Sequence, residues 1–402
     1  LQHLNPGRRV SGKRKDHPKL APSGPQSGTP RDLSPVFDYV KETGSLPFDP
    51  AATGSVAAQF LAAFEDADAE LFSELAAAAR RPRSQVAPDL TTLAGGKRLF
   101  EISLPHYQAL QSLCTALTYR AAAAARCGDG QRAAESIEIM LRMGEGVGTE
   151  PALISLLVTM LFDFLTIDAI WEATRCDVLD ADTLERIQRS LSQIDYQSIY
   201  LRATRAELLM GLDAIDFIGR EGGEAIKLIG YLGGAPSPAL GNLLRLAPRG
   251  WIDQNRSHLV HWNLDYIILP ARDGTLDELS KGLLRIEKVL VETRSQPLSY
   301  PHKALPMVHM SAGGSVARRL IYQEAVRRIA VCACALQRHR LAHGEYPEQL
   351  EQLLPEFLAE VPADPSAPGG SPIQYRREGE RFRLWALGSD GENDGGDAGD
   401  PE

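Results

Sequence analysis

The sequence predicts a mainly α-helical protein, with an all-α domain over residues 53–313 and a small α+β module over residues 314–402. Three observations support this fold class. Ala- and Leu-rich segments with helical spacing fill most of the chain, and Gly and Pro separate them at intervals typical of loops. Beyond them one long helical pattern stops at Gly344, and two short segments of alternating apolar residues follow it.

Residues 1–52 are predicted to form a disordered arm, because they are rich in Pro, Gly and Ser and show almost no apolar periodicity. The first twenty residues are strongly basic, with one acid, Asp16. A solubilising linker is the simpler interpretation of this arm. Contact with anionic lipid or with an acidic protein is the alternative.

The composition excludes several function classes. At 402 residues the chain exceeds what one core usually covers, so two folded units are expected. The net charge of −9 argues against nucleic-acid binding, because phosphate binding needs a basic surface. The five cysteines include no CxxC pair and no zinc spacing, which predicts small buried side chains.

The clearest local motif of the helical domain is an α-hairpin around Gly128. Small or apolar residues stand where two helices of the tetratricopeptide type would touch, and Gly128 stands where the chain must turn. These positions are Leu117, Ala121, Ala124, Ala133 and Ile137. No second copy follows at the period of about 34 residues, so the sequence predicts a tetratricopeptide-like hairpin and not a repeat array. Further helices are predicted over 181–194, 201–215 and 274–294, the first of them capped by Asp182 and Thr183.

The segment from Ala152 to Trp171 is long and apolar enough to cross a bilayer. Asp163 and Asp168 would each cost roughly 2.5 to 3.5 kcal/mol at mid-membrane, which favours a helix buried in protein. The chain begins with Leu1 and not with Met. Membrane association through a missing N-terminal segment therefore stays open at this stage.

The last ninety residues change character. A helix is predicted from Val316 to His343, followed by a short helix over 347–354 and by strands over 372–377 and 381–387 joined across Glu378-Gly379. The apolar face of the long helix is predicted to comprise Tyr322, Val326, Ile329, Ala333 and Leu336.

This segment resembles the soluble part of type II secretion major pseudopilins, in which a long helix ends in a Gly-Tyr-Pro turn and a small sheet leads into a calcium loop. The residues that carry the resemblance are Gly344, Tyr346, Pro347, Leu350, Asp364, Pro365, Tyr375, Leu384, Leu387, Gly388, Asp390 and Gly391. The whole order of parts is also similar to that of uncharacterised bacterial envelope proteins with a helical domain in front of such a module. The resemblance implies an extracytoplasmic location in the cell envelope, although the cysteines leave the cytoplasm open.

The chain departs from a pilin subunit, because its long helix is internal and begins with charged residues that do not suit a membrane or a pilus core. We therefore expect a pseudopilin-like module attached to a helical domain. Such a chain would act as a non-enzymatic interaction or assembly protein that binds a protein partner in the cell envelope.

The acidic C-terminal run has two interpretations. Asp390, Glu392, Asp394 and Gly395 match the opening of an EF-hand loop, but Pro401 stands where the closing Glu is needed. The pseudopilin resemblance instead implies a structural calcium site. Its ligands would be the Leu387 carbonyl and the carboxylates of Asp390, Asp394 and Asp397. The alternative is a solvated, disordered tail.

A metal-dependent hydrolase is the alternative function. His258 and His261 are three residues apart and Asp265 follows four later, so all three could share a helical face and bind a metal ion. The simpler interpretation is that they are polar residues packed beside Trp251 and Trp262. No HExxH, GxSxG, Walker or dinucleotide-binding motif is present in the sequence.

Overall fold

The computed structural model describes residues 71–81, 106–221, 248–273, 276–295, 300–311, 313–365 and 370–387, with single residues or pairs at 57–58, 61, 84, 104, 367, 393 and 395–396. The predicted arm over 1–52 lies outside the described residues. Within them the protein is mainly helical and carries one small antiparallel sheet near its C-terminus, as the sequence predicts.

The predicted α-hairpin is formed by helices α1 (His106–Arg126) and α2 (Gly130–Gly148). Gly128 lies between them with φ of 78°, a left-handed conformation that glycine adopts without steric cost. The side chain of Asp129 accepts the backbone N–H of Arg132 at 3.0 Å and caps α2. The small and apolar positions predicted to form the contact are all fully buried: Leu117, Ala121, Ala124, Ala133 and Ile137.

Helix α3 (Leu153–Arg175) packs against both helices of the hairpin. Within the described part of the chain it is the one helix long and apolar enough to cross a membrane, a test that a core helix also passes. Asp163 in the middle of α3 is only 2% exposed, and its carboxylate meets protein groups on all sides. Its burial agrees with a helix packed inside the protein.

Helices α4 (Ala181–Ser192) and α5 (Tyr196–Glu221) follow. The sequence placed the N-cap of α4 at Asp182 and Thr183, and this prediction was wrong, because the cap lies two residues before Asp182. Asp180 is the cap, because its backbone is extended and its side chain accepts the N–H of Thr183 at 2.7 Å. Asp182 lies inside the first turn, where the interaction of a carboxylate with the helix dipole stabilises the helix.

The next helices form a second layer on α3 and α5. They are α6 (Arg249–Asn263), α7 (Leu269–Asp273), α8 (Leu276–Arg294) and α9 (Ala304–Ser311), with a π-helical turn at Leu264–Ile268 and a 3-10 turn at Tyr300–Lys303. Their buried side chains, among them Trp262, Leu279 and Met307, share a core with Tyr196 and Tyr200 of α5.

Helix α10 (Gly313–His343) matches the long helix predicted from Val316 to His343, and it ends before Gly344, which has φ of 83°. Its first half buries Val316 and Leu320 in the second core, and its second half is buried without a break from Ala330 to Gln337. Tyr322 does not lie on the buried face as predicted and is 54% exposed. It follows Leu320 by two residues, about half a turn around the helix.

The C-terminal elements pack on the second half of α10. The short helix predicted over 347–354 is a single 3-10 turn at Leu350–Leu353, because Gln349 before it keeps an extended backbone. Strands β1 (Gln374–Glu378) and β2 (Arg381–Trp385) pair in an antiparallel hairpin, and Gly379 with φ of 66° makes the turn. Phe382 of β2 contacts Tyr346 at 4.9 Å and Trp171 of α3 at 6.3 Å between ring centroids.

One cluster of buried side chains therefore includes residues from both sides of the predicted domain boundary at 313/314. Leu336 and Leu353 lie in the same cluster as Leu117 and Ile137 of the α-hairpin. The boundary itself stays a prediction.

Candidate functional site

Two hydrogen bonds join residues of the set that carries the pseudopilin resemblance. The hydroxyl of Tyr375 donates to the carbonyl of Pro347 at 2.6 Å. The buried carboxylate of Asp364, which is 2% exposed, accepts the backbone N–H of Leu387 at 2.5 Å. The end of β2 is thus fixed to the segment that follows the 3-10 turn. Of the predicted calcium ligands, only Leu387 lies among the described residues, and Asp390, Asp394 and Asp397 lie outside them.

The chain beyond Leu387 returns to β2. The indole N–H of Trp385 donates to the side-chain oxygen of Asn393 at 2.9 Å, and the backbone N–H of Gly395 donates to the same oxygen at 3.1 Å. Gly396 lies so close to β2 that a Cβ atom there would be 2.9 Å from Arg383 Cδ and 3.1 Å from the Trp385 ring. Described residues on both sides of positions 388–392 are therefore held in place, Leu387 by Asp364 and Asn393 by Trp385 of β2.

Of the residues proposed for a hydrolase, His258 and His261 lie on α6, and Asp265 lies on the π-helical turn after it. His261 is exposed, and its Nδ1 lies 2.7 Å from the carbonyl of Ser257, so this nitrogen carries the hydrogen. His258 is half-buried. Burial, followed by the positive charge of Lys303, lowers its pKa. Asp265 is exposed.

Among the described residues, no group of three or more His, Cys, Asp and Glu side chains is arranged to hold a metal ion. The positive charge of Lys303 would also repel a metal ion bound at His258. The hydrolase alternative therefore gains no support from the geometry. His309 packs near Gly211, where a Cβ atom would lie 3.1 Å from the His309 ring, and desolvation lowers the pKa of His309 to about 4.

The cysteines are free thiols in this structure. Cys114, Cys332 and Cys334 are buried as predicted, and burial raises the pKa of Cys332 and Cys334 to about 12. Cys127 is exposed and Cys176 is half-buried, so the prediction of buried side chains was wrong for these two. Each follows the last residue of its helix, where the chain reaches the surface.

A buried polar network connects α3, α5 and α10. The hydroxyl of Tyr196 donates to Asp163 at 2.5 Å. Burial raises the pKa of Asp163 to about 7, and the Tyr196 hydrogen bond and the Arg327 charge oppose that rise. Since Asp163 and Tyr196 are each 2% exposed, no substrate can reach them, and their role is structural.

Arg327 belongs to a second, adjacent part of this network. Glu324, 5% exposed, accepts from Arg327 Nε at 2.7 Å and from Arg328 Nε at 2.6 Å. The two guanidinium groups also donate to backbone carbonyls, Arg327 to Leu191 at 2.8 Å and Arg328 to Ala363 at 2.7 Å. The two arginines thereby attach α10 to the end of α4 and to the segment before the hairpin, and Glu324 binds both of them.

A concave surface among the described residues lies along α5. This groove has a volume of about 430 Å³ and combines apolar side chains with two arginines. It is lined by Pro151, Ser198, Leu201, Arg202, Arg205, Ala206 and Leu209. Leu209 is 59% exposed, so most of its apolar surface is open to solvent.

The charges of the groove are unbalanced. Within the described part of the chain, neither arginine of the groove pairs with a carboxylate, although Arg202 donates to the carbonyl of Gly148 at 2.5 Å. The nearby acid, Glu207, is half-buried and accepts the backbone N–H of Leu153 at 3.1 Å. The groove therefore presents leucine surface beside two positive charges.

Sequence reasoning predicted the helix but not the groove. Leu201, Arg205 and Leu209 are spaced by four and so share one helical face, a signal that is visible in the sequence. Periodicity alone does not tell which face of a helix remains uncovered.

Comparison of the chain with models of protein families, with curated proteins and with solved structures finds no match.

Proposed function

We propose that this protein is a non-enzymatic interaction or assembly protein of the cell envelope. Its helical part, with the tetratricopeptide-like α-hairpin, binds a protein partner. Its C-terminal part is a pseudopilin-like module closed by a structural calcium ion. The groove along α5 is the observation that carries the proposal, because it is an open apolar surface with two arginines that no carboxylate of the described residues neutralises.

The groove specifies the chemistry of the partner. Burial of a leucine side chain such as Leu209 contributes roughly 1.5 to 3 kcal/mol, so the partner must supply apolar side chains. Arg202 and Arg205 favour a partner segment that also carries carboxylates. Such charges steer the association of the two proteins and fix the orientation of the bound segment. An amphipathic segment with an apolar face and flanking acids meets both requirements.

This assignment is tested by affinity capture from an envelope fraction with the full chain and two groove variants, Leu209→Asp and Arg205→Glu. Leu284→Asp is the matched control, because Leu284 of α8 is 64% exposed and lies outside the groove. We expect a protein that the native chain and the control retain and both groove variants lose. Identical captured sets for all four proteins would refute the groove as the binding surface.

The calcium site is supported by the attachment of the chain on both sides of Gly388–Glu392. Calcium needs six to eight oxygen ligands held by a tight turn. The resemblance implies the Leu387 carbonyl with Asp390, Asp394 and Asp397 as ligands. Leu387 is bonded to the Asp364 carboxylate, and Asn393 is bonded to Trp385 of β2. A calcium ion there would neutralise an acidic run that otherwise repels itself, so its role is to stabilise the module.

Calorimetric titration of the full chain with calcium, together with thermal melting, tests this site. We expect binding that raises the melting temperature, and loss of both effects in Asp390→Ala. Asp400→Ala is the matched control, because Asp400 belongs to the same acidic run but not to the ligand set. Absence of binding in the native chain, or equal loss in both variants, would refute the site.

A further inference from the structure

Two histidines near the end of α10 are arranged as a pair. His339 and His343 are four residues apart, and their ring centroids are 4.4 Å apart with an interplanar angle of 46°. Residues at this spacing share one face of a helix. His343 is exposed and His339 is partly exposed, so both rings can be reached from solvent.

The surroundings fix the orientation of both rings. Nδ1 of His339 lies 3.0 Å from the carbonyl of Glu345. Because a carbonyl only accepts, Nδ1 carries the hydrogen and Nε2 keeps its lone pair for a ligand. Phe357, which is 7% exposed, contacts the two rings edge-on at centroid distances of 5.5 and 5.9 Å.

The separation of the rings fits a shared metal ion. A zinc–imidazole bond of about 2.1 Å and the half-width of the ring place each centroid about 3.2 Å from the metal. Two such rings at about 90° around the ion have centroids about 4.5 Å apart. The observed 4.4 Å is close to this value.

The charges around the pair also permit a cation. Arg338 pairs with Glu185 at 3.1 Å, and Arg340 pairs with Asp177, so both neighbouring guanidinium groups are neutralised. His343 lies in the last turn of a 31-residue helix, where the helix dipole favours positive charge, and His339 lies one turn before it.

We propose that His339 and His343 bind one transition-metal ion of the kind that prefers imidazole ligands, Zn²⁺, Cu²⁺ or Ni²⁺, with water completing its coordination. The site is independent of the calcium site, because calcium prefers oxygen ligands. It is also separate from His258, His261 and Asp265. An ion there would fix the end of α10 where the chain enters the Gly344 turn.

The test is calorimetric titration of the full chain with Zn²⁺ in calcium-free buffer, in a Cys127→Ser background that removes the exposed thiol. Loss of even an outer-shell partner weakens metal binding at least about tenfold, so His339→Gln and His343→Gln should each weaken it by at least that factor. His261→Gln removes another exposed histidine and is the matched control. Unchanged affinity in the two pair variants, or loss in the control, would overturn the proposal.

A further readout separates a two-histidine site from adventitious binding. The electron paramagnetic resonance spectrum of the Cu²⁺-loaded protein should show two nitrogen ligands in the native chain and one in His343→Gln. One nitrogen ligand in the native chain would overturn the proposal.

Discussion

Replacement of Asp163 by asparagine should make the protein more stable at alkaline pH. Groups from three helices lie near the Asp163 carboxylate. Tyr196 of α5 donates a hydrogen bond to it, and the positive charge of Arg327 on α10 lies close to it. On α2, a Cβ atom at Gly144 would lie 3.1 Å from Oδ1 of Asp163. The thiol of Cys114 in α1 is also close enough for the Asp163 charge to raise its pKa. Asparagine has the same shape, can accept the Tyr196 hydrogen bond and carries no charge.

The pKa of Asp163 determines the size and sign of the effect. Its folded-state pKa of about 7 lies above the ordinary value of 3.8, so the folded state favours the neutral acid. The contribution of Asp163 to the unfolding free energy is fully present below about pH 4 and is lost as the pH rises to about 7. Each pH unit in that interval costs about 1.4 kcal/mol, which gives about 4 kcal/mol in total. Between pH 5 and pH 8 the change is about 3 kcal/mol.

Urea unfolding of the native chain and of Asp163→Asn at pH 5 and pH 8 measures this effect. We expect the difference in unfolding free energy between the two proteins to shift by about 3 kcal/mol in favour of the variant on going from pH 5 to pH 8. Asp182→Asn is the matched control, because Asp182 is exposed in the first turn of α4. A difference that is the same at both pH values would refute the assignment of a neutral buried carboxyl.

Three further predictions concern the elements that shape the fold. Asp180→Ala should lower the unfolding free energy by about 1 kcal/mol, whereas Asp182→Ala should have a smaller effect; the reverse order in urea unfolding would contradict the cap. Gly130→Ala should cost about 2 kcal/mol or more, because its Cβ atom would lie 1.9 Å from the Val178 carbonyl. Gly128→Ala meets no neighbour and should cost only about 1 kcal/mol for its left-handed backbone, so equal melting temperatures of the two variants would argue against the close contact. Glu324→Gln should cost about 3 to 5 kcal/mol, because it leaves Arg327 and Arg328 without their shared carboxylate; a melting temperature near the native value would show that the pair is dispensable.

The sequence predicted those elements whose signals are local. Gly128 and Gly344 both adopt the left-handed backbone that only glycine accepts easily, so the ends of α1 and α10 were readable from residue type. The β-hairpin followed from the alternation of Phe382 and Leu384. The exposed Tyr322 was mispredicted, because a helix that passes from one core to another changes the face that it buries.

The candidate sites were less predictable, because they depend on what packs nearby. The spacing of His339 and His343 is visible in the sequence, but Phe357 and the Glu345 carbonyl that orient them come from the segment after the helix. Similarly, Leu209 differs from a buried leucine only because no other described element covers it. The partners of Asp163 on α5 and α10 are distant in sequence, so its raised pKa had no local signal.

Site-specific photo-cross-linking in cells tests the central claim, that the α5 groove binds a protein partner, most directly. A photo-cross-linking amino acid replaces Leu209 in one variant and the equally exposed Leu284 in a control. We predict a discrete adduct with an envelope protein at position 209, which Arg205→Glu in the same chain abolishes, and no such adduct at position 284. The same adducts at both positions, or none at position 209, would contradict the proposed function.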